Sequence, residues 1–596
     1  MHPCGAGRPV WQRNLGRWRG AGGASRGGRS CHHRRRRAAG GTVRCQPRCA
    51  CGRDLWRRSG ARGWPVAPRD RDAAKSEPRG QRRHGIVTRS SHTALVLWAV
   101  ALALYLSGLW IEPLRDWEES TYARIAHEMA AAGWQGWLHP TLWGAPYLNK
   151  PTFLFGLMAA AFQVLGETPF AARLPGAVLT SATVPLLYLL ALDLTGRRDR
   201  ALWVGLVHLL LLPVLRHGRL AMLDGVAVLG LVLMLLCLLR APRHWGWGLA
   251  AGLALAMVAL TKGLLALPFL MIAVIFARVS GRPLLRVRIW MPVLLGCLPA
   301  LAWFAAQWGY YGGTYTQEGL IKQGFARLWT SVEGNRGSLL YYLLEITKLA
   351  WPWLLFLPAA LWLVWQERAQ DWARLVLIWL GGFAVLLTLM PTKLPWYVYP
   401  VYPALSLALG AVLADARAGR LTGRGAVLMR GGVWGLAALA LAGIVGALWL
   451  AMAQPILAAS LLCAGLGCGA GFVLLRRGLS RGFDILAVAA ALSLWLFTIS
   501  GQTVWELNED YPVAPVAQMI RDTLPPGAAL STTRGHSRPA LNYQAGRFVT
   551  PRPPEQMLTA PAGSFWLTRP SEIDGHESSF AILGQAGDWL LVRKLP

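Results

Sequence analysis

LVLWAVALALYLSGLWIEPLRDWEESTYARIAHEM, residues 95–129, changes character at Glu112. Its first half is apolar over a length that crosses a bilayer as a helix, which takes about 20 residues. Its second half places Asp116, Glu118 and Glu119 side by side at the membrane edge. Ionisable groups beside apolar spans are costly and mark functional sites. Tyr122, Ile125, Ala126 and Met129 follow at helical spacing, which predicts an amphipathic helix lying along the membrane surface and opened by the acids. Such acids either complement the helix dipole or, by repelling one another, raise a carboxyl group into the range of a base or cation site.

Apolar runs recur from Leu95 to Ser500 in a chain of 596 residues that is 54% hydrophobic and 15% charged. This is a polytopic α-helical membrane protein. Thirteen spans are expected, near 93–112, 170–195, 201–216, 220–239, 246–261, 263–278, 289–308, 339–365, 373–390, 396–414, 432–452, 456–475 and 484–503. Pro151–Leu165 is too short for a span and is expected to be interfacial or re-entrant. The Arg-bearing connections at 197–200, 240–243, 278–288, 368–374, 417–430 and 476–481 are short, so the positive-inside rule puts them in the cytoplasm. The N-terminus is then cytoplasmic. The first loop (113–169) and the C-terminus are extracytoplasmic.

Residues 1–86 contain 22 Lys and Arg against 4 Asp and Glu, which accounts for 18 of the 32 net positive charges. With few aliphatic residues this basic tail is expected to be disordered. A start at Val87 is expected instead, because Val87-Thr88-Arg89 leads directly into the first span. No nucleic-acid partner is assigned to the tail. Cys237, Cys297, Cys463 and Cys468 lie in apolar helices and read as small core residues. Residues 87–503 form the membrane domain. Residues 504–596 turn polar and read as a small α/β domain, with a helix at 515–524 and strands at 528–533, 564–568, 580–584 and 589–593.

The remaining lone charges fall at the same membrane face as the acids. Lys150 precedes Pro151, and Arg219 and Asp224 flank the mouth of one span. Lys262 and Lys393 each sit alone in a tight outside turn, and Arg336 lies in a long outside loop. A terminal Lys is also a common snorkelling anchor, and Arg219 with Asp224 also reads as a self-satisfying pair. Together, bases and acids at one face suggest chemistry on a phosphate-bearing lipid.

The ordered set Asp116-Trp-Glu-Glu-x-x-Tyr-Ala, Tyr-Leu-Asn-Lys-Pro, Ala172-Arg-Leu-Pro175, Arg219-x4-Asp224, Thr-Lys-Gly263 and Thr-Lys-Leu-Pro-x-Tyr397 resembles the protein O-mannosyltransferases and the lipid A aminoarabinose transferases. These are family 39-like glycosyltransferases of GT-C fold. The resemblance runs from about Leu95 to Leu413. It implies transfer of a sugar, a hexose or pentose, from a polyprenyl-phosphate donor to a lipid, glycan or protein acceptor outside the cytoplasm. The setting it implies is a bacterial inner membrane, with undecaprenyl phosphate as the carrier. Glu118 matches the family's catalytic first-loop acid, with Asp116 and Glu119 as candidates to share the role. Lys150, Arg219, Lys262, Arg336 and Lys393 become candidate phosphate ligands, supported by Asp224, Tyr122 and Tyr397. Asp224 is expected to hold Arg219. The family's metal-binding Glu is replaced by Asn149, which argues against a divalent metal and against aminoarabinose as the sugar. A transporter or flippase of a phosphate-bearing lipid or glycan is the alternative reading.

Overall fold

The computed structural model describes residues 79–330, 336–503 and 512–596. The first 78 residues, including most of the expected basic tail, and Glu333 of the long outside loop lie outside the described residues.

The first helix, α1 (Arg79–Leu106), starts before Val87 and carries the apolar segment Ser90–Leu106. Among the described residues eight helices are long and apolar enough to cross a membrane, or eleven when three pairs bent by 46–115° each count as one. The expected thirteen exceeds this for two reasons. The apolar part of α1 is short, and Trp245–Val279 runs as one helical stretch. Gly263, at φ 56° and ψ −117°, nevertheless breaks that stretch just after Lys262. A left-handed φ with that ψ cannot continue an α-helix, and glycine adopts it without steric cost.

The membrane core is a cluster of Leu, Val, Ala and aromatic side chains shared by most of the spans, with Trp353, Trp372 and Trp379 fully buried. On the face expected to be cytoplasmic, the Arg-bearing connections are cross-linked. Arg200 grips Glu367 with two 2.7 Å bonds and Asp415 with one of 2.5 Å, while Arg240 pairs with Asp193 and Arg282 with Asp371. Acids thus pair with these arginines, and the connections are cross-linked.

The first loop forms the predicted helix, α2 (Glu118–Ala132). Its apolar face, expected to lie on the membrane surface, is covered by protein instead. Tyr122, Ile125, Ala126 and Met129 pack against Leu154, Phe155, Met158 and Ala159 of α3 (Phe153–Leu165), with the Tyr122 and Phe155 rings 4.9 Å apart. Protein covers the stripe because α3, too short to span, lies over it. Glu128 on α2 accepts from Thr141 and from the amides of Trp143 and Gly144, and so fixes the turn between β1 (Thr141–Leu142) and β2 (Ala145–Pro146). That turn delivers the chain to Asn149 and Lys150. Helix α4 (Pro169–Ser181) follows, capped at its start by Thr168.

The C-terminal region is a five-stranded sheet of order β4-β3-β5-β7-β6. Its strands are β3 (Leu530–Thr532), β4 (Val549–Pro551), β5 (Phe565–Thr568), β6 (Phe580–Ala586) and β7 (Trp589–Lys594). β3 pairs in parallel with β4 and β5, and β7 is antiparallel to β5 and β6. The helix Val513–Thr523 packs its apolar face on this sheet. Four strands and this helix match expectation within a few residues. β4 and the short helix Pro539–Ala545 do not appear in the sequence reading, because a three-residue strand ending in Pro551 carries almost no period-two signal.

Candidate active site

The three acids of the first loop, Asp116, Glu118 and Glu119, stand in different surroundings. Glu119 is fully buried and takes two bonds from Arg173 of α4, at 2.8 and 2.7 Å. It also accepts the amides of Ala221 at 2.7 Å and Arg115 at 2.9 Å. Arg173 spends its other donors on the carbonyls of Leu109, Glu112 and Pro113. All five guanidinium donors are used. Burial by itself pushes the Glu119 carboxyl up, but the Arg173 charge and the four donors hold it below the usual carboxylate value. A fully bonded carboxylate held below its usual value suits a clamp better than a base.

Asp116 is also buried and occupied. It accepts from Arg538 Nε at 2.6 Å and from the Ala540 amide at 2.8 Å, both in the C-terminal region. Both carboxylates are engaged in holding the loop, Glu119 by Arg173 and Asp116 by Arg538, which favours Glu118 over them for the proton-transfer role expected of these acids.

Glu118, between them, is different. It opens α2, is partly exposed, and forms no ion pair among the described residues. Burial raises its carboxyl above the usual range; Arg115 opposes this, Asp224 adds to it and Lys262 opposes it. Trp117 before it is a non-glycine residue at φ 62° and ψ −99°. Such backbone costs of order 1–3 kcal/mol and persists only where the surroundings dictate it, often at functional sites.

A base with a raised pKa leaves a pH signature. Turnover should fall on acidification through the raised Glu118 pKa, so the acid limb of the rate profile should lie above the ordinary carboxylate value and vanish in Glu118→Gln. A limb at the ordinary value in wild type would remove Glu118 from proton transfer.

Beside the acids lies a cavity of about 400 Å³. Its polar lining includes Asn149, Lys150, Asp224, Lys262, Tyr315, Gln323 and Tyr397; much of the rest is Leu, Met, Phe and Pro. Glu118 is outside the lining but within electrostatic reach of Asp224 and Lys262. Asp224, in the first turn of α5 (Leu223–Arg240), pairs with Lys262 at the end of α6 (Trp245–Lys262). Lys262 also stands 5.6 Å from the Tyr397 ring centre. This corrects the expected pairing of Asp224 with Arg219. Arg219 instead donates to the Tyr105 and Ser107 carbonyls at the end of α1 and is buried there.

Two further expectations change. Lys393 does not line the cavity; its ammonium caps the C-terminal end of α7 (Asp371–Leu389) through the Leu387 and Thr388 carbonyls, and lies 5.2 Å from the Tyr342 ring. Carbonyls at a helix end attract a cation. Arg336 is exposed and bridges by backbone to Thr392, next to Lys393, but does not reach the lining. Tyr122 is a core residue on the buried face of α2.

Residues absent from the sequence reading complete the site. Arg115 is 1% exposed, its guanidinium lies 5.5 Å from the Trp396 ring, and its Nε and Nη2 have no hydrogen-bond partner among the described residues. The π-helical turn Thr316–Lys322, flanked by Tyr315 and Gln323, roofs the cavity through Gly319 and Leu320. π-turns concentrate at functional sites. Its sequence carries no signal that separates it from an ordinary loop. Among the described residues no three His, Cys, Asp or Glu side chains gather, and Asn149 presents an amide to the cavity beside the carboxylate of Asp224.

With the geometry in place, comparison with known proteins gives the class. The solved structure of ArnT from Cupriavidus metallidurans bound to undecaprenyl phosphate superposes with a TM-score of 0.66 at 20% identity, covering 85% of this chain and 98% of that one. The fold is that of the GT-C membrane glycosyltransferases. More particularly, residues 90–305 match the family model of the dolichyl-phosphate-mannose-protein mannosyltransferases, the family expected from the ordered motifs.

Among curated proteins, the undecaprenyl phosphate-alpha-4-amino-4-deoxy-L-arabinose arabinosyl transferase of Pectobacterium carotovorum is 30% identical over 343 residues, 55% of this chain and 59% of that one. A namesake from Pseudomonas fluorescens is 29% identical over 372 residues, covering 60% and 64%. The match thus spans about three fifths of the length of these relatives. The described residues hold eight helices, or eleven with the bent pairs joined, that are long and apolar enough to cross a membrane.

Proposed function

We propose that the chain transfers a hexose or pentose from undecaprenyl phosphate to an extracytoplasmic lipid, glycan or protein acceptor. The observation that carries this reading is one cavity. Its lining carries Lys150 and the Lys262–Asp224 pair, the pair lies within electrostatic reach of Glu118, and an apolar remainder suits a polyprenyl tail. The relatives are named for the same donor chemistry. The cavity and the C-terminal region face the periplasm in this reading, with the N-terminus in the cytoplasm.

Glu118 takes the proton of an acceptor hydroxyl. The acceptor oxygen bonds to the anomeric carbon as the anomeric carbon–oxygen bond to phosphate breaks. The electron pair leaves on the phosphate oxygen, and a single displacement of this kind inverts the anomeric centre. Lys150 and Lys262 face the growing phosphate charge in an apolar setting, where fixed charges act strongly. Asp224 orients Lys262.

The test is mass spectrometry of surface lipids, glycans and glycoproteins. A deletion strain is compared with strains complemented by wild type and by Glu118→Gln. A sugar-sized mass lost on deletion and restored by wild type alone supports the reading. No mass change in any strain contradicts it and favours a lipid transporter. A second expectation concerns the donor. Lys150→Ala should weaken undecaprenyl phosphate binding roughly 10–100-fold, the worth of a charge-assisted bond of about 1.5–3 kcal/mol. Titration in nanodiscs measures it, and unchanged affinity would take Lys150 off the phosphate.

A further inference from the structure

Glu118 sits on a backbone step that is held at both ends by buried charges. On its C-terminal side the Glu119 carboxylate is locked by Arg173. On its N-terminal side Asp116 is locked by Arg538, with both side chains almost wholly buried. Between the two locks Trp117 adopts a backbone rare for any residue with a side chain. Its ring stacks on His536 of the C-terminal region, with centres 6.0 Å apart and planes 15° from parallel. A second aromatic contact, Trp143 with Phe548 at 5.9 Å, ties the β1–β2 turn to the same region. The locks close a turn that neither partner imposes alone, because 422 residues separate Asp116 from Arg538.

We propose that the C-terminal region is part of the catalytic apparatus. Arg538, through Asp116 and Trp117, is a positioning residue that aims the Glu118 carboxylate, with His536 supporting it. The proposal rests on Glu118 being the base. Misplacing a reacting group by an ångström can cost about 100-fold. A lock on the neighbouring backbone therefore acts on turnover without touching the donor.

The experiment uses full-length protein in membrane vesicles from the complemented deletion strain. It follows the initial rate at which the sugar-sized mass appears, per folded protein, from pH 5 to 9. Binding of undecaprenyl phosphate is measured in nanodiscs alongside. Arg538→Gln is expected to cut the rate roughly 10–100-fold with undecaprenyl phosphate affinity kept within about twofold. Its acid limb should move to lower pH, since a released Glu118 leaves Asp224 and its half-buried place. Arg538→Lys should recover part of the rate.

Wild-type rate and wild-type acid limb in Arg538→Gln would overturn the proposal. Where Arg538→Gln does not fold, His536→Ala serves, because His536 is exposed. A rate drop of about threefold or more supports the proposal, and an unchanged rate rejects it. Glu118→Gln in the same assay separates the two claims. Full rate in Glu118→Gln sinks the base assignment. Loss there with none in Arg538→Gln or His536→Ala sinks only the positioning role.

Discussion

Glu118→Gln should lower turnover by roughly 10²–10⁴-fold, the usual worth of a positioned general base, and leave the protein folded and able to bind undecaprenyl phosphate. The reason lies in the division of labour among the three acids. Asp116 and Glu119 are each held by a buried arginine and by backbone amides. Glu118 alone combines a raised pKa with the absence of an ion pair among the described residues. The sign of the stability effect follows from the same shift. A carboxyl whose pKa is higher in the folded state favours folding when protonated, and costs stability once pH rises through the folded value. At neutral pH the neutral glutamine removes that cost, so Glu118→Gln should melt at or above the wild-type temperature. A rate within about threefold of wild type would exclude Glu118 as the base; a lower melting temperature would contradict its half-buried, unpaired state.

Arg173→Ala should be the most damaging single change to stability. It leaves Glu119 ionised with no exposure and no counter-ion, and strips donors from the Leu109, Glu112 and Pro113 carbonyls. Removing one partner of a buried pair costs about 3–5 kcal/mol, comparable with the whole stability of many domains. Loss of expression or of a monodisperse peak in detergent is the expected result. The double change Glu119→Gln with Arg173→Met removes both charges and should recover part of that loss. A folded Arg173→Ala with unchanged melting would show that the pair is not a structural clamp.

Much of this was legible before the structure. Apolar windows revealed most of the spans, since a bilayer leaves the backbone few alternatives to a helix. The helical spacing of Tyr122, Ile125, Ala126 and Met129 located α2, although the stripe faces α3 rather than lipid. Lys150, Asp224 and Lys262 stand out as isolated charges at one face, Tyr397 belongs to the Thr-Lys-Leu-Pro-x-Tyr motif, and all four line one cavity.

What stayed hidden was pairing. Arg219 is five residues from Asp224 and seemed its natural partner, yet Lys262, 38 residues away, holds it. Arg173 was visible only as part of the Ala-Arg-Leu-Pro motif, because its partner Glu119 lies 54 residues upstream. Lys393 resembled Lys262 in sequence, but one ammonium meets a carboxylate and the other meets helix-end carbonyls. Distant contacts of this kind depend on how helices pack, which a single sequence does not spell out.

The most direct test of the central claim is an experimental structure of Glu118→Gln with undecaprenyl phosphate bound. The account places the phosphate at the basic end of the cavity, within contact of Lys150 and Lys262, with the prenyl chain along Leu264, Met271 and Phe383 and residue 118 beside the phosphate. A phosphate resting elsewhere, or a prenyl chain that leaves this cavity empty, would contradict it.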